Sequence, residues 1–175
     1  MLPTGVHSRP RHAGKPLKKS DANIMAGPKT LHPDFVAFVE LLNAHDVRYL
    51  VVGGYAVAFH GHPRYTKDLD IWIDATVENA GRLLDALAEF GFGSLGLATD
   101  DFLQPDTIIQ LGYPPNRIDL LTELPGVTFN ESYQSLVTIK VEGVPVQVIG
   151  LEELKVNKKT VGRHQDLADL DNLDG

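Results

Sequence analysis

Three aspartates stand where strand alternation would gather them. In the segment 67–74, Asp68, Asp70, Trp72 and Asp74 alternate with Leu69, Ile71 and Ile73. In a strand the two sets face opposite sides. The apolar set reads as the core side, and the carboxylates share the other face. Aspartate is unfavourable in strands, and two on one face raise each other's pKa by repulsion. A divalent cation offsets that repulsion directly, because magnesium is held by one or two carboxylates together with substrate phosphates. The alternative is an edge strand whose polar face simply meets water. A second segment, Arg117-Ile118-Asp119-Leu120-Leu121, buries Ile118 and Leu120 and turns Asp119 to the opposite face with Arg117. If the two strands are neighbours, Asp119 joins Asp68 and Asp70. Three carboxylates could then hold two cations, and Asp119 could orient or deprotonate an attacking hydroxyl. The alternative for Asp119 is a salt bridge to a nearby arginine.

Upstream lies an element that could seat an anion. Gly53-Gly54 follows the apolar run Tyr49-Leu50-Val51-Val52 and opens a short helix over 55–60. Without Cβ atoms, backbone amides can approach a phosphate closely, and a helix start adds free N–H groups. The same pair would also serve a tight strand-to-helix turn for steric reasons alone. Neither a Rossmann fingerprint nor a Walker loop is present. Arg64, Thr66 and Lys67 sit just before the acidic strand, and Arg64 could meet a phosphate or pair with an acid. Trp72 could stack on a base or cap the sheet under a helix. His60 and His62 flank Gly61, a pattern better suited to helix-end contacts than to a metal site.

The remaining elements must position these groups. Residues 33–45 repeat apolar side chains at helical spacing behind Pro33, and 77–90 form a second amphipathic helix stopped by Gly91. Strands are expected at 107–111 and 117–121, joined by a turn at 112–116 rich in Gly and Pro. A hairpin is expected over 137–149, turning at Glu142-Gly143. Closing helices are expected at 151–158 and 163–173, around Gly162. Hairpins mixed with helices imply a mixed sheet.

Composition sets the bounds. The chain has 175 residues, 43% hydrophobic and 22% charged, ordinary values for a globular protein. It has no cysteine, so any metal must be held by oxygen or imidazole ligands. No apolar run approaches the ~20 residues of a membrane span, and a cytoplasmic setting is expected. The net charge is −7, unevenly spread. Residues 1–28 carry five basic groups against Asp21, a net of +4, which leaves −11 for the rest. That segment reads as a disordered basic tail, and 29–175 as a single domain. An acidic body disfavours an extended nucleic-acid groove.

Together these segments resemble the nucleotidyltransferase superfamily with the polymerase-beta-type fold. The likeness rests on the apolar strand, Gly53-Gly54, the short helix, Asp68-Leu69-Asp70 and the later Asp119. The run from Gly53 through His60-Gly61, Arg64 and Thr66 to Asp70 is similar to the small bacterial branch of minimal nucleotidyltransferases and AbiEii-type toxin relatives. Leu151 to Lys155 and Gly162 to Leu170 resemble that branch's C-terminal helices. The resemblance implies an α/β (α+β) fold, a mixed sheet flanked by helices. It also implies transfer of a nucleoside monophosphate from a triphosphate such as ATP to a hydroxyl of a small molecule, protein or RNA. Asp68, Asp70 and Asp119 would be the catalytic acids and would hold Mg2+ or Mn2+. Gly53, Gly54, Arg64 and Thr66 would meet the nucleotide, and Lys155 could reach the triphosphate or stand as a solvated helix lysine. A toxin–antitoxin protein partner is implied too, with a non-catalytic nucleotide- or partner-binding component as the alternative function. Many members carry Gly-Ser where this chain has Gly53-Gly54, so a serine hydroxyl to phosphate is missing. Relatives often carry Lys where Gln165 stands. Asp166 and Asp169 read as solvent or helix-end contacts, with metal ligation as the alternative.

Overall fold

The computed structural model describes residues 31–175, and the basic tail 1–28 lies outside them. Helix α1 (Pro33–Ala44) starts at Pro33, with the His32 ring accepting from the Asp34 amide at 3.1 Å. Strand β1 (Tyr49–Val52) runs into α2 (Gly53–Phe59), and β2 (Leu69–Ile73) leads to α3 (Val77–Leu87). The Thr76 side chain caps α3. The helix gives way at Ala88–Phe92, where Gly91 takes a φ of 111° that a side chain would oppose. Strands β3 (Ile108–Leu111) and β4 (Ile118–Leu121) follow, then α4 (Phe129–Gln134), β5 (Val137–Val141) and β6 (Val144–Val148). The turn between β5 and β6 has positive φ at both Glu142 and Gly143, the twist that suits a two-residue hairpin. Helices α5 (Leu151–Val161) and α6 (His164–Asp174) close the chain around Gly162.

The six strands form one mixed sheet in the order β3-β4-β2-β1-β6-β5. β2 runs antiparallel to β1 and parallel to β4. Leu69, Ile71 and Ile73 are fully buried, as their alternation implies. Their opposite face divides into two regions. Toward its start it carries Asp68 and Asp70. Toward its end Trp72 is buried edge-on against Phe129 of α4, with ring centroids 5.1 Å apart. Trp72 therefore caps the sheet under a helix and is closed to a base. Beyond it Asp74 pairs with Arg48 at 2.8 Å, and the Arg48 guanidinium lies over the Tyr133 ring. Asp74 thus belongs to the end of the sheet away from the other acids.

Helix α4 was not among the expected elements. Its cues are short: Phe129 and Tyr133 one turn apart, behind a Thr-x-x-Glu pattern in which the Thr128 hydroxyl meets Glu131 at 3.0 Å. Among the described residues no helix is long and apolar enough to cross a membrane.

The aromatic contact under α4 gives a direct test. Trp72→Ala should destabilise the fold by about 3–5 kcal/mol, the usual cost of emptying a buried aromatic site. Urea unfolding checks this, and a loss below ~1 kcal/mol would contradict the packing described.

Candidate active site

The register of the sheet brings the acids together. Asp70 stands opposite Asp119 on the parallel neighbour β4, and opposite Val52 on β1. Neighbouring strands lie about 4.8 Å apart, so the two carboxylates emerge side by side. Asp68 lies at the entrance to β2, where the Leu69 amide donates to the Arg117 carbonyl at 3.0 Å. Arg117 spans the group. Its Nη2 donates to Asp68 Oδ2 at 2.8 Å, and its Nε to Asp119 Oδ1 at 2.8 Å. Asp68 Oδ1 is buried without a hydrogen-bond partner.

Asp70 feels this crowding most. Burial pushes its carboxyl up to about 7, and the charges of Asp119 and Asp68 add to the rise against the pull of Lys158 and Arg117. Asp119 is also raised, first by burial, although its hydrogen bond from Arg117 opposes the shift. Both shifts report the same physics: negative charge concentrated away from water.

The glycine turn is shaped by these acids. Gly53 takes a φ of 67°, and a Cβ there would collide with Asp70 Oδ2. A Cβ on Gly54 would come within 2.7 Å of Thr66 Oγ1 and 3.1 Å of Arg64 Nη2. A side chain at Gly53 would push against β2, and one at Gly54 against the segment that leads into it. The pair therefore has a steric role, and its backbone also borders the cavity below.

A buried ionic lattice faces the acids from α5 and α6. Lys158 is 4% exposed and pairs with Asp166 at 3.1 Å and Asp169 at 2.9 Å. Asp169 is fully buried and also holds Arg64 through two bonds, of 2.7 and 3.0 Å. Gln165 donates to Asp169 at 2.9 Å, and Arg163 to Asp166 at 2.8 Å. Burial alone would raise Asp166 and Asp169, but these donors outweigh it and hold both carboxyls below their ordinary value. The expectation of solvent contacts at 166 and 169 is thus corrected: both acids are interior. Asp166 does make a helix-end contact as well, with the Arg163 amide at 3.2 Å.

Between the lattice and the acids lies a cavity of about 420 Å3. Gly53, Gly54, Thr66, Asp68 and Asp70 line one part, and Arg64, Lys67, Lys158 and Arg163 supply positive charge. Lys155 is not on its wall. It pairs instead with Asp174 at 3.2 Å and Glu152 at 3.7 Å. Lys158, one turn later, takes the inward position. Sequence reading missed Lys158 and Arg163. Their signal was present in the acids Asp166 and Asp169, one helix turn apart, which could not remain buried without cations. His60 contacts the Ile149 carbonyl at 2.7 Å, the helix-end contact expected of it.

The donor set fits a divalent cation of a particular kind. Among the described residues no three His, Cys, Asp or Glu form a ready-made cage. Magnesium does not require one, since it is commonly held by one or two carboxylates plus substrate phosphates. The partnerless Asp68 Oδ1 and the crowded Asp70 carboxyl are the positions that such an ion would satisfy, on the wall of a cavity that also carries Arg64, Lys67, Lys158 and Arg163.

No protein-family model matches the sequence, and no curated protein matches it either. The fold, however, matches solved structures. A Thermotoga maritima protein assigned as a nucleotidyltransferase superimposes with a TM-score of 0.54 at 16% identity, covering 82% of this chain and 94% of that one. The lincosamide antibiotic adenylyltransferase LnuA, solved with lincomycin bound, gives 0.53 at 14% identity, covering 85% of this chain and 99% of that one. At such identities the likeness is one of architecture: the mixed six-stranded sheet flanked by helices is a nucleotidyltransferase-type fold.

Proposed function

We propose that this chain is a metal-dependent nucleotidyltransferase, moving a nucleoside monophosphate from a triphosphate such as ATP to an acceptor hydroxyl. The observation that carries this reading is the register Val52–Asp70–Asp119, which sets a paired carboxylate between a glycine turn and a basic cavity. Asp68 and Asp70 would hold Mg2+ or Mn2+, with Asp119 completing the site. The bound cation would neutralise charge on the transferring group and on the departing pyrophosphate. Lys158, Arg64 and Arg163 would orient the triphosphate, alongside the amides of Gly53 and Gly54. Asp119 would accept the proton of the acceptor hydroxyl as its oxygen bonds to the α-phosphorus and the bond to pyrophosphate breaks.

One observation favours a second reading. Arg117 already bridges Asp68 and Asp119, so the site can balance part of its charge without a metal. A protein that binds nucleotide or a toxin–antitoxin partner without turnover would have that property. The two readings separate cleanly. If Asp68→Ala and Asp70→Ala leave the biological effect intact, the binder stands and the enzyme falls.

Incubation with each labelled triphosphate, Mg2+ and cell lysate should transfer label to an acceptor. Asp119→Asn should slow transfer roughly 10^2–10^4-fold, the range for a lost general base, and Asp70→Asn should abolish it. Undiminished transfer in either variant would sink the assignment.

The raised Asp70 carboxyl also predicts a pH dependence of stability. In the unfolded chain an aspartate titrates near ~3.9; in the folded protein Asp70 keeps its proton up to about 7. The metal-free protein must therefore lose stability as pH rises from about 4 to about 7, with the full cost present above that window. At about 1.4 kcal/mol per pKa unit, this is on the order of 4 kcal/mol. Asp70→Asn should remove it. In chelator, the variant's melting advantage over the parent should be full at pH 8 and shrink steadily as pH falls toward about 4. Identical melting profiles would show that Asp70 is not held as described.

A further inference from the structure

A second cavity, about 320 Å3, adjoins the first through Gly53, Asp70 and Lys158. It differs from the first in two ways. It reaches Asp119, which the first does not, and its own walls carry the opposite charge. Setting aside the residues common to both, the first cavity has Arg64 and Lys67 against Asp68. The second has Asp106, Asp119 and Glu123 and no basic group at all. That is +1 against −3. The common charged residues, Asp70, Lys158, Arg163 and Asp166, border both cavities and so leave the contrast unchanged.

The acids of the second cavity differ in state. Asp119 is held by Arg117. Asp106 and Glu123 are exposed, and among the described residues neither has a cationic partner. The single contact between them is the Asp106 amide donating to Glu123 at 3.0 Å, which fixes the Glu123 carboxylate and leaves its charge unmet. The remaining wall is largely apolar, formed by Leu121, Leu124, Pro125 and Val161, with Ile108 58% exposed at the rim.

Resting on the transfer reading above, we infer that this cavity is the acceptor subsite and that it takes a small hydroxyl-bearing amine, protonated at neutral pH. The volume is that of a small-molecule pocket. The ammonium would sit between Asp106 and Glu123, the carbon frame against Leu121, Leu124 and Val161, and the hydroxyl toward Asp119. The hydroxyl oxygen bonds to the α-phosphorus of the triphosphate. The bond to the β-phosphate oxygen breaks, pyrophosphate leaves with the electron pair, and the hydroxyl proton passes to the Asp119 carboxylate. The amine is a handle and takes no part in bonding. An RNA end would instead bring backbone phosphates against three carboxylates, with only the already paired Lys158 and Arg163 to receive them.

The test uses the full chain with ATP and Mg2+, reading pyrophosphate release. The acceptors are a panel of hydroxyl-bearing mono- and polyamines, each beside its N-acetylated form, and a short RNA with a free 3′ hydroxyl. At least one amine should support release, and N-acetylation should lower its kcat/KM at least about tenfold, the value of one lost charge-assisted contact. The double variant Asp106→Asn, Glu123→Gln should raise KM for that amine by a similar factor and leave KM for ATP within about twofold. Both residues are exposed, so the variant should fold; its circular dichroism and urea midpoint check this, with Glu123→Gln alone as the second variant. Acetylated forms serving as well as the amines, RNA as the better acceptor, or an unchanged KM would each overturn the inference. So would a panel of inert amines while labelled ATP still modifies RNA or protein in lysate. In that last case the transfer reading survives; if no lysate component is labelled either, both fall together.

Discussion

Two carboxylates held opposite each other on adjacent strands set the terms for the rest of this molecule. Asp70 and Asp119 share a register position in the middle of the sheet, where the medium is poorer than water at dispersing charge. Their repulsion is answered on one side by Arg117, which crosses from Asp119 to Asp68. On the other side stands Lys158, which is itself shared between two further acids. These cations are not enough to return Asp70 to ordinary behaviour. The fold relieves the crowding by keeping a proton on Asp70 up to about 7, at the junction of its two adjoining cavities.

Sheet order is what makes that junction possible. β2 lies between β1 and β4, so one strand meets both remaining parts of the site. Val52, opposite Asp70, is the last residue before the glycine turn, and Asp119 is opposite on the other side. A shift of either pairing by one residue would turn the acids into the core and the isoleucines toward the cavity. The buried Leu69, Ile71 and Ile73 therefore do more than stabilise the sheet. They fix the register in which the carboxylates converge.

Much of this was legible in the sequence because alternation is a strong local signal. The strand phase of 69–73 and 118–121, the Gly162 break and the Glu142-Gly143 hairpin follow from period and turn chemistry alone. So does the facing of Asp119 away from Ile118 and Leu120. What sequence does not carry is which strand neighbours which; the adjacency of β2 and β4 entered as a condition and the structure supplies it. Helix α4 was missed because six residues with two aromatics make no sustained period. Lys155 and Lys158 could not be told apart for a similar reason. Both lie on α5, and only the docking of α6, with Asp166 and Asp169 turned inward, draws Lys158 inside and leaves Lys155 at the surface with Asp174. The sign of each cavity wall is likewise a property of assembly: Asp106 and Glu123 are distant from Asp70 in sequence and meet it only across β3 and β4.

The ionic lattice itself calls for a reason beyond stability. Burying charges away from water costs several kcal/mol per ion, and mutual attraction recovers this only with good geometry. Apolar residues of similar volume at 158, 166 and 169 would hold α5 against α6 at no greater cost. What they would not do is aim cations. Asp169 receives Arg64 through both carboxylate oxygens and Lys158 through one, so a single buried acid fixes two positive side chains from separate elements. Arg64 in turn lies over Gly54, where a Cβ would already touch it. The lattice thus ties the glycine turn to the C-terminal helices. On the transfer reading, its use is to hold a phosphate seat in shape before any phosphate arrives. The ordering cost is then met in folding and does not recur at each binding event. The contrast between the two cavities follows from the same device. Lys158 and Arg163 are committed to Asp166 and Asp169, and among the described residues no cation pairs with Asp106 or Glu123, so the wall they form keeps its negative charge.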